Sequence, residues 1–314
     1  MLFDLLLVAA GLVLLVFAGD ALVRGAVNLS IRLGIPALVV GLTVVAFGTS
    51  APELLVSVKA VLSDAPGIAL GNVVGSNTAN ILLVLGVPAL FATITTRGTD
   101  TRRSYVMMIG ASLLFIGLSW AGPIRTPHAL VLLAALAFML FDAYRGARAS
   151  APGSDPLDEL EGVEMGMRWR RILLYLAAGL VGLPLGADLL VRGSVSIARD
   201  LGISETIIGL TLVAVGTSLP ELATTVAAAL RREADVALGN VIGSNMFNLL
   251  AIIGIAGLVG PLPVDPSFLT LDLWIMLGAS LLLAPFVFRG WPINRAWGAG
   301  LTALYVGYLA LLLI

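Results

Sequence analysis

The chain of 314 residues contains no cysteine and one histidine, His128. Disulfides and thiolate metal sites are therefore excluded, as is the His- or Cys-rich shell that zinc or copper demands. Charge is scarce as well: 12% of the residues are charged, against roughly 25% in soluble domains. A net charge of −1 offers no electrostatic footprint for nucleic acid. No His–Glu zinc motif and no serine–base pairing is present, so nothing points to an enzyme. Strict apolar–polar alternation is also lacking, which excludes a membrane barrel. No basic leader precedes the first apolar run, MLFDLLLVAAGLVLLVFAGD, which carries Asp4 instead. It reads as a membrane helix rather than a cleaved signal.

What is abundant is hydrophobicity, at 59% of residues. Charges crowd into Arg97–Arg103, Asp142–Arg171 and Arg231–Asp235, leaving long apolar runs between them. A span needs about 20 apolar residues. On that ruler the sequence predicts ten membrane helices, roughly 3–30, 37–61, 67–92, 104–121, 127–144, 170–199, 205–230, 236–260, 268–288 and 294–314. The expected fold is an all-α membrane protein with two five-helix sets, residues 1–144 and 170–314, joined by a polar linker at 145–169. The linker is too short for a folded domain and is expected to be a mobile loop with at most one short helix. Its acids between Asp155 and Glu164 lack the spacing and Gly turn of a Ca²⁺ loop.

The two sets are copies. GLTVVAFGTSAPEL at 41–54 returns as GLTLVAVGTSLPEL at 209–222, and GNVVGSNTAN at 71–80 returns as GNVIGSNMFN at 239–248. Both offsets are 168 residues (221 − 53 and 248 − 80). From Asp20 to Gly86 the first copy matches Asp188 to Gly254 at about half of the positions. Five helices is an odd number, so the second copy enters from the opposite side and the repeats are inverted. With the N-terminus outside, the cytoplasmic loops hold Arg97, Arg102, Arg103, Arg145, Arg148, Arg168, Arg170, Arg171, Arg231, Arg232, Arg289 and Arg295. The outer loops hold only Lys59, Arg125 and Arg199. Both termini outside and the linker in the cytoplasm is the orientation this bias predicts.

Each copy writes a carboxylate into a segment built for a bilayer, at a cost of roughly 3 kcal/mol on insertion scales. Thr49 and Ser50 lie four and three residues before Glu53, on one helix face. Pro52 has no amide proton for the carbonyl of Gly48, so the helix is expected to open near Gly48–Ser50. Gly216, Thr217, Ser218, Pro220 and Glu221 repeat the arrangement. The second motif adds neutral oxygens one turn apart, from Ser76 and Asn80 and from Ser244 and Asn248. Pooled, the copies supply two carboxylates, hydroxyls, amides and freed carbonyls. That is an all-oxygen shell for a hard cation. Two glutamates neutralise one Ca²⁺, or most of the charge of two or three Na⁺; composition does not choose Ca²⁺ over Mg²⁺ or Mn²⁺.

GTSAPE with GNVVGSNTAN and GTSLPE with GNVIGSNMFN resemble the paired alpha-repeats of the sodium/calcium exchangers, in the calcium/cation antiporter superfamily. The resemblance covers nearly the whole chain. It implies a secondary active antiporter of the prokaryotic cell membrane that exchanges Na⁺ for Ca²⁺ by alternating access. Glu53 and Glu221 would be the central ligands of both ions. Thr49, Ser50, Ser76, Asn80, Thr217, Ser218, Ser244 and Asn248 would add side-chain contacts, with backbone oxygens from Ala46 and Ala214. The implied partners are the two ions and the lipid bilayer; no cofactor is implied, and a monomer suffices. Helices 1 and 6 would slide over a core of helices 2, 3, 7 and 8. Asn248 stands where much of the family has Asp, which argues against a potassium-dependent subtype. An H⁺/Ca²⁺ antiporter on the same scaffold is the alternative, although those relatives tend to carry Gln where Asn80 and Asn248 stand.

Other polar residues take plainer roles. Asn72, Asn77, Asn240 and Asn245 read as interhelical hydrogen-bonding groups. Asp20 with Arg24, and Asp188 with Arg192, are spaced to pair along their own helices. His128 is expected in a solvated outer loop.

Overall fold

The computed structural model describes residues 2–35, 37–64, 66–96, 101–149, 167–201, 214–266 and 268–312. Among these no strand occurs, and the architecture is entirely helical. In chain order the helices are α1 (Leu2–Leu33), α2 (Ala37–Thr49), α3 (Ala51–Leu62), α4 (Pro66–Phe91), α5 (Arg102–Trp120) and α6 (Thr126–Ala149). They continue as α7 (Trp169–Asp200), α8 (Ala214–Thr217), α9 (Leu219–Leu230), α10 (Ala234–Val259), α11 (Phe268–Arg289) and α12 (Arg295–Leu312). Seven of them are long and apolar enough to cross a membrane, and α2 with α3, bent by 44°, makes an eighth crossing if counted as one span. Helix α9 has 12 residues and α12 has 18, and neither is among the seven. The first part of the seventh expected span, residues 205–213, lies outside the described residues.

Burial sorts the spans. The apolar windows of α4 and α10 are 78% and 83% buried, whereas those of α1 and α6 are 22% and 17%. The two helices that carry the second motif therefore form the centre, and α1 and α6 turn most of their surface to lipid. Lipid tails are as apolar as leucine, so such a bundle is held by close packing and interhelical hydrogen bonds. Helices α1 and α7 pair along their length in that way. A Cβ on Gly11 would fall 2.6 Å from the Leu190 nitrogen and 2.8 Å from the Gly186 carbonyl oxygen, so the two backbones touch. Gly239 of α10 meets α2 equally closely, its added Cβ lying 2.8 Å from the Leu38 oxygen.

The loops bond reciprocally across the two copies. Ile94 and Ile293 exchange N–H···O bonds of 3.0 and 2.9 Å, and Ile124 and Leu262 exchange two of 2.9 Å. Leu262 is the repeat-equivalent of Ile94, so each copy uses the same position to grip the other. Asp64 and Arg232, also equivalent, both take left-handed backbone with φ of 56° and 60° just after α3 and α9.

Two expectations are corrected. Helix α6 runs on to Ala149, so the first residues of the linker are helical; residues 150–166 lie outside the described residues. His128 is not in a loop but in the first turn of α6, half-buried, its Nδ1 3.0 Å from the Pro123 carbonyl oxygen. Pro127 explains this: proline is favoured in a helix's first turn, where its missing N–H is not needed.

Candidate cation site

The site begins with two helix breaks. Ser50 joins α2 to α3 with φ −85° and ψ 4°, and Ser218 joins α8 to α9 with φ −87° and ψ 5°. In each case proline follows two residues later, within the first turn of the next helix, and cannot donate to the carbonyl four residues back. The breaks are narrow. Ser50 N–H still donates to the Ala46 oxygen at 3.0 Å, and Leu54 N–H to the Ser50 oxygen at 3.1 Å. In the second copy Ser218 N–H donates to the Val215 oxygen at 3.1 Å, and Leu222 N–H to the Ser218 oxygen at 3.0 Å.

Each break ends by aiming a glutamate inward from the first turn of a new helix. Glu53 is 1% exposed and Glu221 is fully buried. Ser50, one turn before Glu53, donates through Oγ to Glu221 Oε1 at 3.0 Å. That bond crosses from one copy to the other and sets the Glu221 carboxylate beside the helix break that precedes Glu53. Thr49 Oγ1 lies 3.2 Å from Asn240 Oδ1 and 3.3 Å from the Ala46 oxygen. Thr217 Oγ1 lies 3.4 Å from Asn72 Oδ1. The helices carrying Asn80 and Asn248 widen locally at those residues into π-helical turns, Asn80–Val84 and Asn248–Ile252, a distortion common at functional sites.

The chemistry lies in what is unpaired. Both carboxylate oxygens of Glu53, Oε2 of Glu221, Oγ of Ser218 and Ser244, and Oδ1 of Asn80 and Asn248 are buried with no hydrogen-bond partner. A buried polar atom left unsatisfied costs about 1–3 kcal/mol, and more if charged. All of these atoms are oxygens, they come from both motifs of both copies, and two of the side chains are acids. Such a set is costly to leave empty and suited to a hard cation. Among the described residues no group of three or more His, Cys, Asp and Glu occurs, so neutral oxygens must complete any shell here. Ser76 is buried one turn before Asn80 on α4.

The asparagines expected to bond between helices do so and brace the site, with two hydroxyl partners, Ser57 and Thr225, that the sequence reading did not name. Asn72 Nδ2 donates to the Glu53 carbonyl at 3.2 Å and to Ser57 Oγ at 3.0 Å. Its equivalent, Asn240 Nδ2, donates to the Glu221 carbonyl at 3.3 Å and to Thr225 Oγ1 at 3.1 Å. Ser57 and Thr225 could have been found, since each is a hydroxyl four residues after its glutamate and they stand 168 apart. Asn77 and Asn245 donate to each other's backbone carbonyls at 3.2 and 3.3 Å across the same centre.

At the membrane edge the copies differ. Asp20 pairs with Arg24 at 3.0 Å, as expected, but also with Arg231 between α9 and α10. The equivalent Asp188–Arg192 pair, at 2.9 Å, is solvent-facing. Beside Arg231, Glu233 is buried; burial first and Asp235 second push its carboxyl up to about 7, against the opposing pull of Arg231.

A profile of the family described as "Sodium/calcium exchanger protein" matches residues 3–144 and 171–314. The sodium/calcium exchanger MaX1 of Methanosarcina acetivorans is 35% identical, with 98% of each chain aligned. The inner membrane protein YrbG of Escherichia coli is also 35% identical, over 98% of this chain and 95% of its own. Among solved structures, the sodium-calcium exchanger NCX_Mj soaked with Na⁺ and Sr²⁺ superposes with a TM-score of 0.84 at 32% identity, covering 98% of both chains.

Proposed function

Because the chain belongs to the sodium/calcium exchanger protein family, we propose that it exchanges Na⁺ for Ca²⁺ across the cell membrane, both ions using the pocket between Glu53 and Glu221. The protein is an integral membrane transporter and not an enzyme. The observation that carries the proposal is the Ser50–Glu221 bond, which sets one buried acid beside the helix break that presents the other, with unpaired buried oxygens supplied by both copies. Thr49, Ser50, Ser76, Asn80, Thr217, Ser218, Ser244 and Asn248 are the proposed side-chain contacts, with Ala46 and Ala214 contributing carbonyls. Two negative charges balance one Ca²⁺ or a pair of Na⁺, so filling by one set excludes the other. Exchange follows when the occupied pocket, and not the empty ionised one, passes between inward- and outward-facing states.

The proposed scaffold has ten spans in two inverted repeats, residues 1–144 and 170–314, with the linker at 145–169 in the cytoplasm and both termini outside. The reciprocal loop bridges support the inverted relation, since a two-fold axis in the membrane plane pairs each loop with its counterpart's neighbour. The touching backbones of α1 and α7 support their moving as one unit over the core. The test of coupling is Ca²⁺ uptake into proteoliposomes under an outward Na⁺ gradient or under a pH gradient alone. Uptake is expected with Na⁺ only; uptake driven by pH without Na⁺ refutes the sodium reading.

A further inference from the structure

Four asparagines at the centre form a chain whose polarity is set at its ends. Asn77 Nδ2 faces the backbone oxygen of Asn245 at 3.2 Å, and Asn245 Nδ2 faces the backbone oxygen of Asn77 at 3.3 Å. A peptide carbonyl can only accept, so each of these amides must turn its nitrogen toward it. The oxygen ends then point the other way. Asn77 Oδ1 meets Asn248 Nδ2 at 3.0 Å, and Asn245 Oδ1 meets Asn80 Nδ2 at 3.0 Å. Those two nitrogens are held, so the oxygens of Asn248 and Asn80 are the ends left facing the pocket, buried and without a partner. All four residues are 1% exposed, so bulk solvent does not compete for these groups. An amide usually can flip at little cost, because its two ends have nearly the same shape. Here a flip of Asn248 would set NH₂ against the proposed cation and oxygen against Asn77 Oδ1.

We infer that Asn77 and Asn245 are positioning residues that never touch the ion but lock Asn248 and Asn80, respectively, with oxygen toward it. The inference rests on the proposed cation site, and it makes a crossed prediction that general scaffolding does not. Asn77 acts through Asn248 on the other copy, although Asn80 is nearer to it in sequence.

The test is a double-mutant cycle on the Ca²⁺ KM of Na⁺-driven uptake in proteoliposomes, normalised to inserted protein. Asn77→Leu is expected to raise KM about tenfold with kcat within twofold, as removal of a neutral ligand would. Combined with Asn248→Ala it should raise KM no further than Asn248→Ala alone, while its effect should multiply with that of Asn80→Ala. Equal multiplication with both partners, or coupling to Asn80 instead, overturns the inference. If Asn80→Ala and Asn248→Ala each leave KM at the wild-type value, the site reading itself fails and takes the inference with it. Should Asn77→Leu not insert, ¹⁵N spectra of the wild-type protein decide. Side-chain amide protons of Asn80 and Asn248 protected with and without Ca²⁺ support the lock, and protons that exchange freely in the ion-free protein refute it.

Discussion

Glu53→Gln isolates the ion's dependence on charge better than any other substitution in this chain. Neither carboxylate oxygen of Glu53 bonds to a protein group, so the change removes one negative charge and breaks no hydrogen bond in the protein. Glu221→Gln would also disturb the bond from Ser50. Two unit charges 4 Å apart interact by about 4 kcal/mol at an effective dielectric of 20, so a divalent ion loses about 8 and a monovalent ion about 4. Part of this is recovered because the glutamine no longer needs to be stripped of water as an anion; breaking a buried pair nets about 3–5 kcal/mol. Ca²⁺ affinity should then fall by roughly two to four orders of magnitude and Na⁺ affinity by about half as many. At a pH where both acids are ionised, the ion-free protein should move the opposite way, because a buried carboxylate with no protein partner is gone. A gain of about 1–3 kcal/mol corresponds to a rise of a few degrees in Tm. Titration calorimetry and thermal unfolding of purified protein in Na⁺-free and Ca²⁺-free buffer read both effects. Equal losses for Na⁺ and Ca²⁺, or an ion-free Tm that falls, would refute the electrostatic reasoning.

Two further outcomes follow from the membrane edge. Breaking the Asp20–Arg231 pair by Arg231→Ala should free α1 from the core at one face only; about 1 kcal/mol for a partly exposed pair shifts the ratio of Ca²⁺ KM values measured from the two membrane faces about fivefold. Asp188→Asn, at the solvent-facing equivalent, should leave that ratio within twofold, and equal effects of the two variants would contradict the assignment. Glu233 gives a pH signature of known sign. Its carboxyl sits at about 7 in the folded protein against an ordinary 4.5, so the fold favours the neutral acid. Stability should therefore be greatest below about pH 4.5 and decline as pH rises through 7, by up to about 3 kcal/mol from this group. Unfolding midpoints of Glu233→Gln should lack that component between pH 5 and about 8; an unchanged profile would remove Glu233 as its source.

The duplicated motifs made much of the architecture legible. Helix breaks at Ser50 and Ser218 follow from proline two residues on, a local effect that sequence states directly. The convergence of Glu53 and Glu221 was legible because equal motifs at a fixed offset imply one shared centre. What stayed hidden depends on contacts between elements. Nothing in Asp20 or Arg231 announces a pair 211 residues apart, since the i,i+4 partner Arg24 already accounts for Asp20. The asparagines of GSN read only as interhelical glue, because their crossing pattern needs both copies in place. The expected span 127–144 starts within one residue of α6, so the loop reading of His128 failed only because proline was taken to exclude the first helical turn.

The departures from symmetry carry the last step. At the centre the copies are identical in the residues that matter: Gly-Thr-Ser before, Pro-Glu-Leu after, asparagine at both 80 and 248. Yet Ser50 bonds Glu221 while Ser218 Oγ has no partner and Glu53 accepts nothing. A symmetric sequence in an asymmetric arrangement has a second arrangement of nearly equal energy, with the roles of the copies exchanged. Bistability of that kind is what alternating access requires, and central residues that are the same in both copies give little bias toward either arrangement. Preference between them must come from where the copies diverge. Arg231 and Glu233 have Ser63 and Ala65 as their equivalents, so the ionic tether to α1 exists at one face and has no counterpart at the other. In the proposed exchange cycle, the repeated core would supply two states and the unrepeated edge the difference between them.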